Sequence, residues 1–163
     1  MRAIYSVLGL SIVFATAVLA APQSSPSEFV TDALKGDNSE IMLGQFAADH
    51  GASAATKRFG RVLNADHMQA KEQMSQVAQQ IGVTPTTDKS PEAQAEMRKL
   101  QGLKGADFDS EFAAYMVDDH QKDIAKFAAE AKAKNGPAST IAAKQLPTLR
   151  KHLKMAQALQ KKA

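Results

Sequence analysis

The chain has 163 residues, with 20 Lys and Arg against 17 Asp and Glu, four His and no Cys. This length suits a single domain with one hydrophobic core. The net charge of +3 is too small to indicate a nucleic-acid partner. Without cysteine the chain has neither disulfides nor thiolate metal sites, so any metal site must use His, Asp or Glu side chains.

The amino-terminal segment "MRAIYSVLGLSIVFATAVLA" carries one charge, at Arg2, followed by an apolar run and the small residues Val18 and Ala20. This pattern predicts a secretory signal peptide over residues 1–20 and a periplasmic or secreted single domain over residues 21–163. Removal of Arg2 leaves 19 basic residues against 17 acidic ones, a net charge of +2. The alternative is an uncleaved membrane anchor, because the run approaches the ~18 to 20 residues that a span needs.

Helix caps and breakers divide the rest of the chain. "SSPSEF" supplies Ser25 as a cap, Pro26 in the first turn and Glu28 three residues after the cap, which together form a capping box. Gly51, the loop "GVTPTTDKSP" and "KNGPAS" are the later stops. The predicted helices span about 26–50, 54–81, 91–100, 108–134 and 137–161. Pro147 is expected to bend the last helix or to break it near Gln145.

No segment alternates with the period of a strand, so the predicted class is all-α. The four long helices are expected to form an antiparallel bundle, with residues 82–106 and their short helix crossing between the two hairpins. The apolar stripes predict a core made of Phe29, Leu43, Phe59, Leu63, Phe112, Met116, Ile124, Phe127, Leu149 and Leu153.

Each long helix also places one potential metal ligand within its apolar stripe. His67 and His120 occupy equivalent places, because the spacing of Phe, Leu or Met, Asp and His is the same in both helices. His152 lies on the stripe of the last helix and Glu40 on that of the first. Counted from the turns, His120 and His152 are expected to be level, whereas Glu40 and His67 differ by roughly 6 to 8 Å.

Three imidazoles and a carboxylate from four helices suit one divalent transition-metal ion, such as zinc, copper or iron. The predicted ligands are Glu40, His67, His120 and His152. Asp66 and Asp119 point about 100° away from their neighbouring histidines, so each is predicted to accept a ring N–H from a histidine on another helix. The alternative is a metal-free structural or interaction protein whose buried His and Asp residues fix the helix register.

At these residues the chain resembles the exported bacterial family called domain of unknown function 4142, which has a ferritin-like fold. The resemblance covers nearly all of the mature chain, through "GDNSEIMLGQFA", "KRFGRVLNADHMQAKEQM", "LKGADFDSEFAAYMVDDHQKDIAKFAAEA" and "LPTLRKHLKMAQAL". The family pattern of a Glu, two Asp-His pairs and a final His matches Glu40, Asp66 with His67, Asp119 with His120, and His152. It implies a periplasmic four-helix bundle and no established activity. His50 lies outside the pattern.

An enzymatic function is not predicted. Di-iron bundles use a Glu three residues before each ligating His, and Asn64, Val117 and Leu149 stand at those places. There is no cysteine, and no serine lies beside an inward histidine, which leaves no nucleophile of the usual kind. No organic cofactor is implied. The physiological role that fits best is metal homeostasis or envelope stress.

The signal-peptide prediction is tested by the mass of the intact protein. The mature chain should begin at Ala21 and be recovered outside the cytoplasm, because signal peptidase cuts after small residues such as Ala20. Intact-mass spectrometry of fractionated cells measures this directly. Retention of Met1 or Arg2 in a membrane fraction would favour the anchor instead.

Overall fold

The computed structural model describes residues 24–134 and 136–162, and these residues form five α-helices and no strand. The predicted signal peptide and its cleavage site lie outside the described residues. The helices are α1 (Pro26–His50), α2 (Ala54–Gln80), α3 (Pro91–Gln101), α4 (Gly105–Ala133) and α5 (Pro137–Gln160). The predicted all-α class is confirmed, and α4 begins three residues earlier than expected.

The starts of α1, α2 and α3 are fixed by serine caps. Ser25 and Glu28 form the full capping box of α1. Ser53 accepts a hydrogen bond from the backbone N–H of Thr56 at the start of α2, and Ser90 caps α3 in the same way. Each cap satisfies a backbone donor that has no partner within its helix.

The four long helices form a ferritin-like antiparallel bundle. Helix α1 packs mainly on α2, and α4 packs mainly on α5, so the bundle is two hairpins face to face. The segment between the hairpins, with α3 inside it, crosses over α1 and α4. Asn38 donates two hydrogen bonds to carbonyl oxygens of this crossover, and Ser39 accepts one from the backbone of Ser90. These bonds hold the crossover against α1.

Pro147 does not break α5, which runs without interruption from Pro137 to Gln160. Proline removes a hydrogen-bond donor and leaves the carbonyl four residues earlier, that of Ala143, without its helical partner. Both Ala143 and Pro147 are exposed, so water can satisfy this carbonyl. The predicted break near Gln145 is therefore wrong, because the proline lies on the solvent side.

Two glycines let α1 and α2 approach each other closely. A Cβ on Gly60 would lie 2.5 Å from the backbone nitrogen of Ala48 and from the carbonyl oxygen of Gly44. A Cβ on Gly44 would lie 2.8 Å from the backbone nitrogen of Asn64 and from the carbonyl oxygen of Gly60. Such distances leave no room for a side chain, so these glycines set the register of the first hairpin.

The core consists of two apolar clusters at different heights of the bundle. The lower cluster includes Phe29, Leu34, Met74, Phe127 and Leu149, and the upper cluster includes Leu43, Phe59, Leu63, Phe112 and Met116. Eight of the ten predicted core residues are buried; Ile124 and Leu153 remain half-buried, because they lie at the edge of their stripes. Among the described helices, none has the length and apolar character that a membrane span requires.

Matched alanine substitutions test the role of the close helix approach. Gly60→Ala should destabilise the fold by about 1 to 3 kcal/mol, because the two backbones must move apart to admit a methyl group. Gly36→Ala is the control in the same kind of helix interior, and it should raise stability by up to ~1 kcal/mol because its Cβ meets only one atom at 3.8 Å. Urea unfolding measures both values. Equal effects of the two substitutions would contradict this packing.

Candidate metal centre

A layer of polar side chains separates the two apolar clusters. Each long helix contributes one polar residue to this layer. On one side of that residue the helix packs in the lower cluster, and on the other side it packs in the upper cluster. His67, His120 and His152 expose only 5%, 1% and 0% of their surface, and Glu40 exposes 2%. All four residues predicted as ligands therefore point into the centre of the bundle.

The three imidazole rings are close neighbours in the centre of the bundle. The ring centroids of His67 and His152 are 5.3 Å apart, those of His120 and His152 are 5.3 Å apart, and those of His67 and His120 are 6.1 Å apart. One nitrogen of each ring lies within 4.8 Å of one nitrogen of each of the others. The expectation that His120 and His152 are level agrees with this geometry.

Glu40 also reaches the histidines, despite the expected difference in height. Its Oε2 lies 3.9 Å from His67 Nε2, and its Oε1 lies 3.8 Å from His120 Nδ1. The hairpin turns between His50 and Ala54 rather than at Gly51, which reduces the offset to three residues, about 4.5 Å. The longer turn and the reach of the Glu side chain together absorb the mismatch predicted from the sequence.

The outward-facing nitrogen of each ring is held by a hydrogen-bond acceptor. His67 Nδ1 donates to Asp37 Oδ1 at 2.9 Å, and His152 Nε2 donates to Asp66 Oδ2 at 2.9 Å. His120 Nδ1 donates to the carbonyl oxygen of Met116 at 3.0 Å. These partners fix the orientation of the rings, as partners of metal-ligating histidines do.

Asp66 lies where the sequence predicts it, accepting from a histidine on another helix. Partial burial acts to raise its pKa, but the hydrogen bonds from His152 and Lys151 prevail and lower it. Asp37 was missed, although it stands four residues after inward Ala33 and three before inward Glu40. That spacing was the signal that could have found it.

Asp119 is placed differently from its prediction, against Glu40 rather than on a ring nitrogen. Burial first, and then the charge and hydrogen bond of Asp119, raise the pKa of Glu40 well above its usual value. Burial and the neighbouring Asp119 also raise the pKa of Asp123, to about 7. The site thus has a side of crowded carboxyl groups, formed by Asp37, Glu40, Asp119 and Asp123.

The inner nitrogens of His120 and His152 carry free lone pairs. Burial, followed by the neighbouring histidines, lowers the pKa of His120 to about 3, and burial also lowers that of His152 to about 4. Both rings are therefore neutral at pH 7, and each donates its single N–H outward. Among the described residues, His67 Nε2, His120 Nε2 and His152 Nδ1 have no hydrogen-bond partner. Neutral imidazole nitrogens of this kind are ordinary ligands for transition metals.

Two overlapping groups in the described residues have the spacing to hold a metal ion. The first is His67, His120 and His152, and the second is Glu40, Asp119 and His120. His50, in the third Asp-His pair, is exposed at the end of α1 and rests against Phe46, with ring centroids 4.3 Å apart. It takes no part in the layer.

The fold and its buried polar layer define the class as a ferritin-like four-helix bundle whose centre contains histidine and carboxylate side chains. Residues 14–159 match the family described as Domain of unknown function (DUF4142), and the chain belongs to this family. No curated protein matches the chain.

A solved structure shares the fold. A crystal structure of a DUF305 fragment from Deinococcus radiodurans is similar with a TM-score of 0.74 at 17% sequence identity, covering 88% of this chain and 99% of that one. At this identity the likeness shows the fold alone.

The crowded carboxyl groups predict that Asp123→Asn stabilises the metal-free protein at neutral pH. Lys126 and His67 favour the charged form of Asp123, but burial, Asp119 and Asp37 prevail and raise its pKa. A raised pKa means that the folded state binds more protons than the unfolded state between pH 3.8 and about 7, so this carboxyl group destabilises the fold as pH rises. Because the side chain retains 23% exposure, the gain should be on the order of 1 to 3 kcal/mol above pH 7.

The gain from Asp123→Asn should shrink as the pH falls below 7 and disappear at about pH 3, below the unfolded-state pKa of 3.8, where the carboxyl group is protonated in both states. Urea unfolding in the presence of a chelator, repeated across this pH range, measures the effect. Asp107→Asn, in the exposed first turn of α4, is the control for the change of charge. A stability loss in Asp123→Asn at pH 8 would contradict the prediction.

Proposed function

We propose that this protein is an exported helical bundle that binds one divalent transition-metal ion through His67, His120 and His152, with Glu40 as the adjacent carboxylate. Zinc, copper and iron are the ions that such donors suit. The role proposed for the bound ion is in metal homeostasis or envelope stress.

The observation that carries this proposal is the convergence of three unpartnered ring nitrogens. A buried polar atom without a hydrogen bond costs about 1 to 3 kcal/mol, and three such atoms face one another here. The inner nitrogens of His120 and His152 both carry lone pairs, because burial lowers the pKa of each ring and the N–H of each lies on the outer nitrogen. A cation bound at ~2.0 to 2.1 Å from each nitrogen would satisfy all three atoms.

Glu40 suits the fourth position of a tetrahedral site. Its Oε2 has no hydrogen-bond partner among the described residues and lies 3.9 Å from the free nitrogen of His67. Two ligands of a tetrahedral ion with bonds of ~2.0 Å lie about 3.3 Å apart, so a small side-chain shift is sufficient. A positive ion would also relieve the crowding that raises the pKa of Glu40.

The metal-free alternative is a structural or interaction protein in which the same residues fix helix register. Its support is the set of outer hydrogen bonds, which hold the rings whether or not an ion is bound. It gives no account of why three buried ring nitrogens without hydrogen-bond partners in the described part of the chain belong to rings that lie side by side. Metal binding is therefore the better proposal.

Metal-dependent thermal stability tests the site. Metal at a hundred times its dissociation constant should stabilise the wild type by ~2.7 kcal/mol, because the ion binds only the folded state. His120→Ala should lose most of this gain, since it removes one of three nitrogen ligands. His50→Ala is the matched control, because His50 is exposed and lies outside the layer. Thermal unfolding with zinc, copper or a chelator gives the three values.

The protein for this test is purified without a histidine tag, and its metal content is measured by elemental analysis. An equal response to metal in the wild type and in His120→Ala would overturn the proposal in favour of the metal-free alternative. A response lost equally in His50→Ala would assign the binding to the surface of the protein.

A further inference from the structure

A cavity of about 210 Å³ lies beside the histidines. His67 and His152 line its inner end, and the exposed residues Gln69 and Lys144 line its rim. At roughly 30 Å³ per water molecule, it has room for about seven waters. A hydrated ion could therefore approach two of the three rings without unfolding of the bundle.

Gly36 forms part of the cavity wall, and neither packing nor backbone conformation requires glycine there. A Cβ at this position would meet only Asp123 Oδ2, at an ordinary contact distance of 3.8 Å. The positive-φ glycines are Gly82, Gly105 and Gly136, whereas Gly36 lies inside α1. Glycine in a helix interior lowers stability relative to alanine. Its contribution at position 36 is therefore the space that it leaves beside Asp123.

The cavity wall carries an excess of negative charge. Three aspartates line it, Asp37, Asp66 and Asp123, whereas Lys144 is the one lysine among its described lining residues. Gly36 and Asp123 also line a neighbouring groove of about 520 Å³, where five carboxyl groups, including Asp119, face three lysines, and one of these, Lys126, lies 3.8 Å from Asp123. A cleft lined mainly by one sign of charge raises the local concentration of ions of the opposite sign.

We propose that this cavity is the entry route of the metal ion, that Gly36 keeps it open, and that Asp123 draws the divalent cation toward His67 and His152. This inference rests on the proposed metal site. It explains how an ion reaches rings that are almost fully buried, since the other route requires the helices to separate.

Stopped-flow binding of Co²⁺ to the purified protein, followed by its visible absorption, separates the entry route from the site. Gly36→Leu should slow association and dissociation equally, by about tenfold or more, because a blocked route affects both directions and leaves the dissociation constant unchanged. Gly36→Ala is the matched control, and it should change both rates less than about twofold because its methyl group fits.

Asp123→Asn tests the attraction of the cation independently of the opening. At pH 8, above the pKa of about 7 that burial gives Asp123, association should slow by about tenfold at low ionic strength, and the difference from the wild type should shrink in high salt. Asp107→Asn carries the same change of charge at the other end of α4, and its association rate should match that of the wild type. Circular dichroism confirms that each variant is folded.

Unchanged rates in both Gly36→Leu and Asp123→Asn, with tight binding in the wild type, would overturn the route and leave the metal site standing. Association rates that follow urea concentration and global stability would assign entry to opening of the bundle instead. A wild type that binds no Co²⁺, Zn²⁺ or Cu²⁺ would overturn the site and the route together.

Discussion

The structure depends on a polar layer that must be buried, because all four long helices pass through it. The three imidazoles can be buried there only if their outer ring nitrogens find hydrogen-bond partners, and Asp37, Asp66 and the Met116 carbonyl supply them. The second nitrogen of each ring is then left without a hydrogen-bond partner among the described residues. The same bonds that hold the rings therefore leave an unsatisfied centre, and the proposed metal site rests on this feature.

The carboxyl groups beside the rings show where stability and function diverge. Burial and mutual repulsion raise the pKa values of Glu40 and Asp123, so at neutral pH this side of the layer is destabilising in the absence of a cation. Gly36 weakens α1 at the same height. Features that cost stability are expected near functional sites, and Asp123 and Gly36 border the cavity that His67 and His152 also line.

The helices and the inward residues could be predicted from the sequence, because caps, breakers and a period of 3.6 residues are local signals. The register and packing of one helix against another were harder to predict. The offset between Glu40 and His67 depends on where the first hairpin turns and on the close contact of Gly44 with Gly60, which no local pattern reveals. The break at Pro147, one of the two effects predicted there, was wrong because the effect of a proline depends on which face meets water. Asp119 was paired with a ring, although only the packed structure shows that it faces Glu40.

A ferritin-like frame does not by itself determine the chemistry of its centre, since function depends on the donors that the helices present. In di-iron bundles, carboxylates supply most of the ligands, and a Glu precedes each His by one turn. Here Asn64, Val117 and Leu149 stand in those places, so three nitrogens dominate, and the carboxylates lie to one side. Nitrogen-rich donor sets favour zinc or copper over a carboxylate-bridged pair of irons. The donor set therefore fits the proposed binding of a single ion better than it fits a di-iron pair.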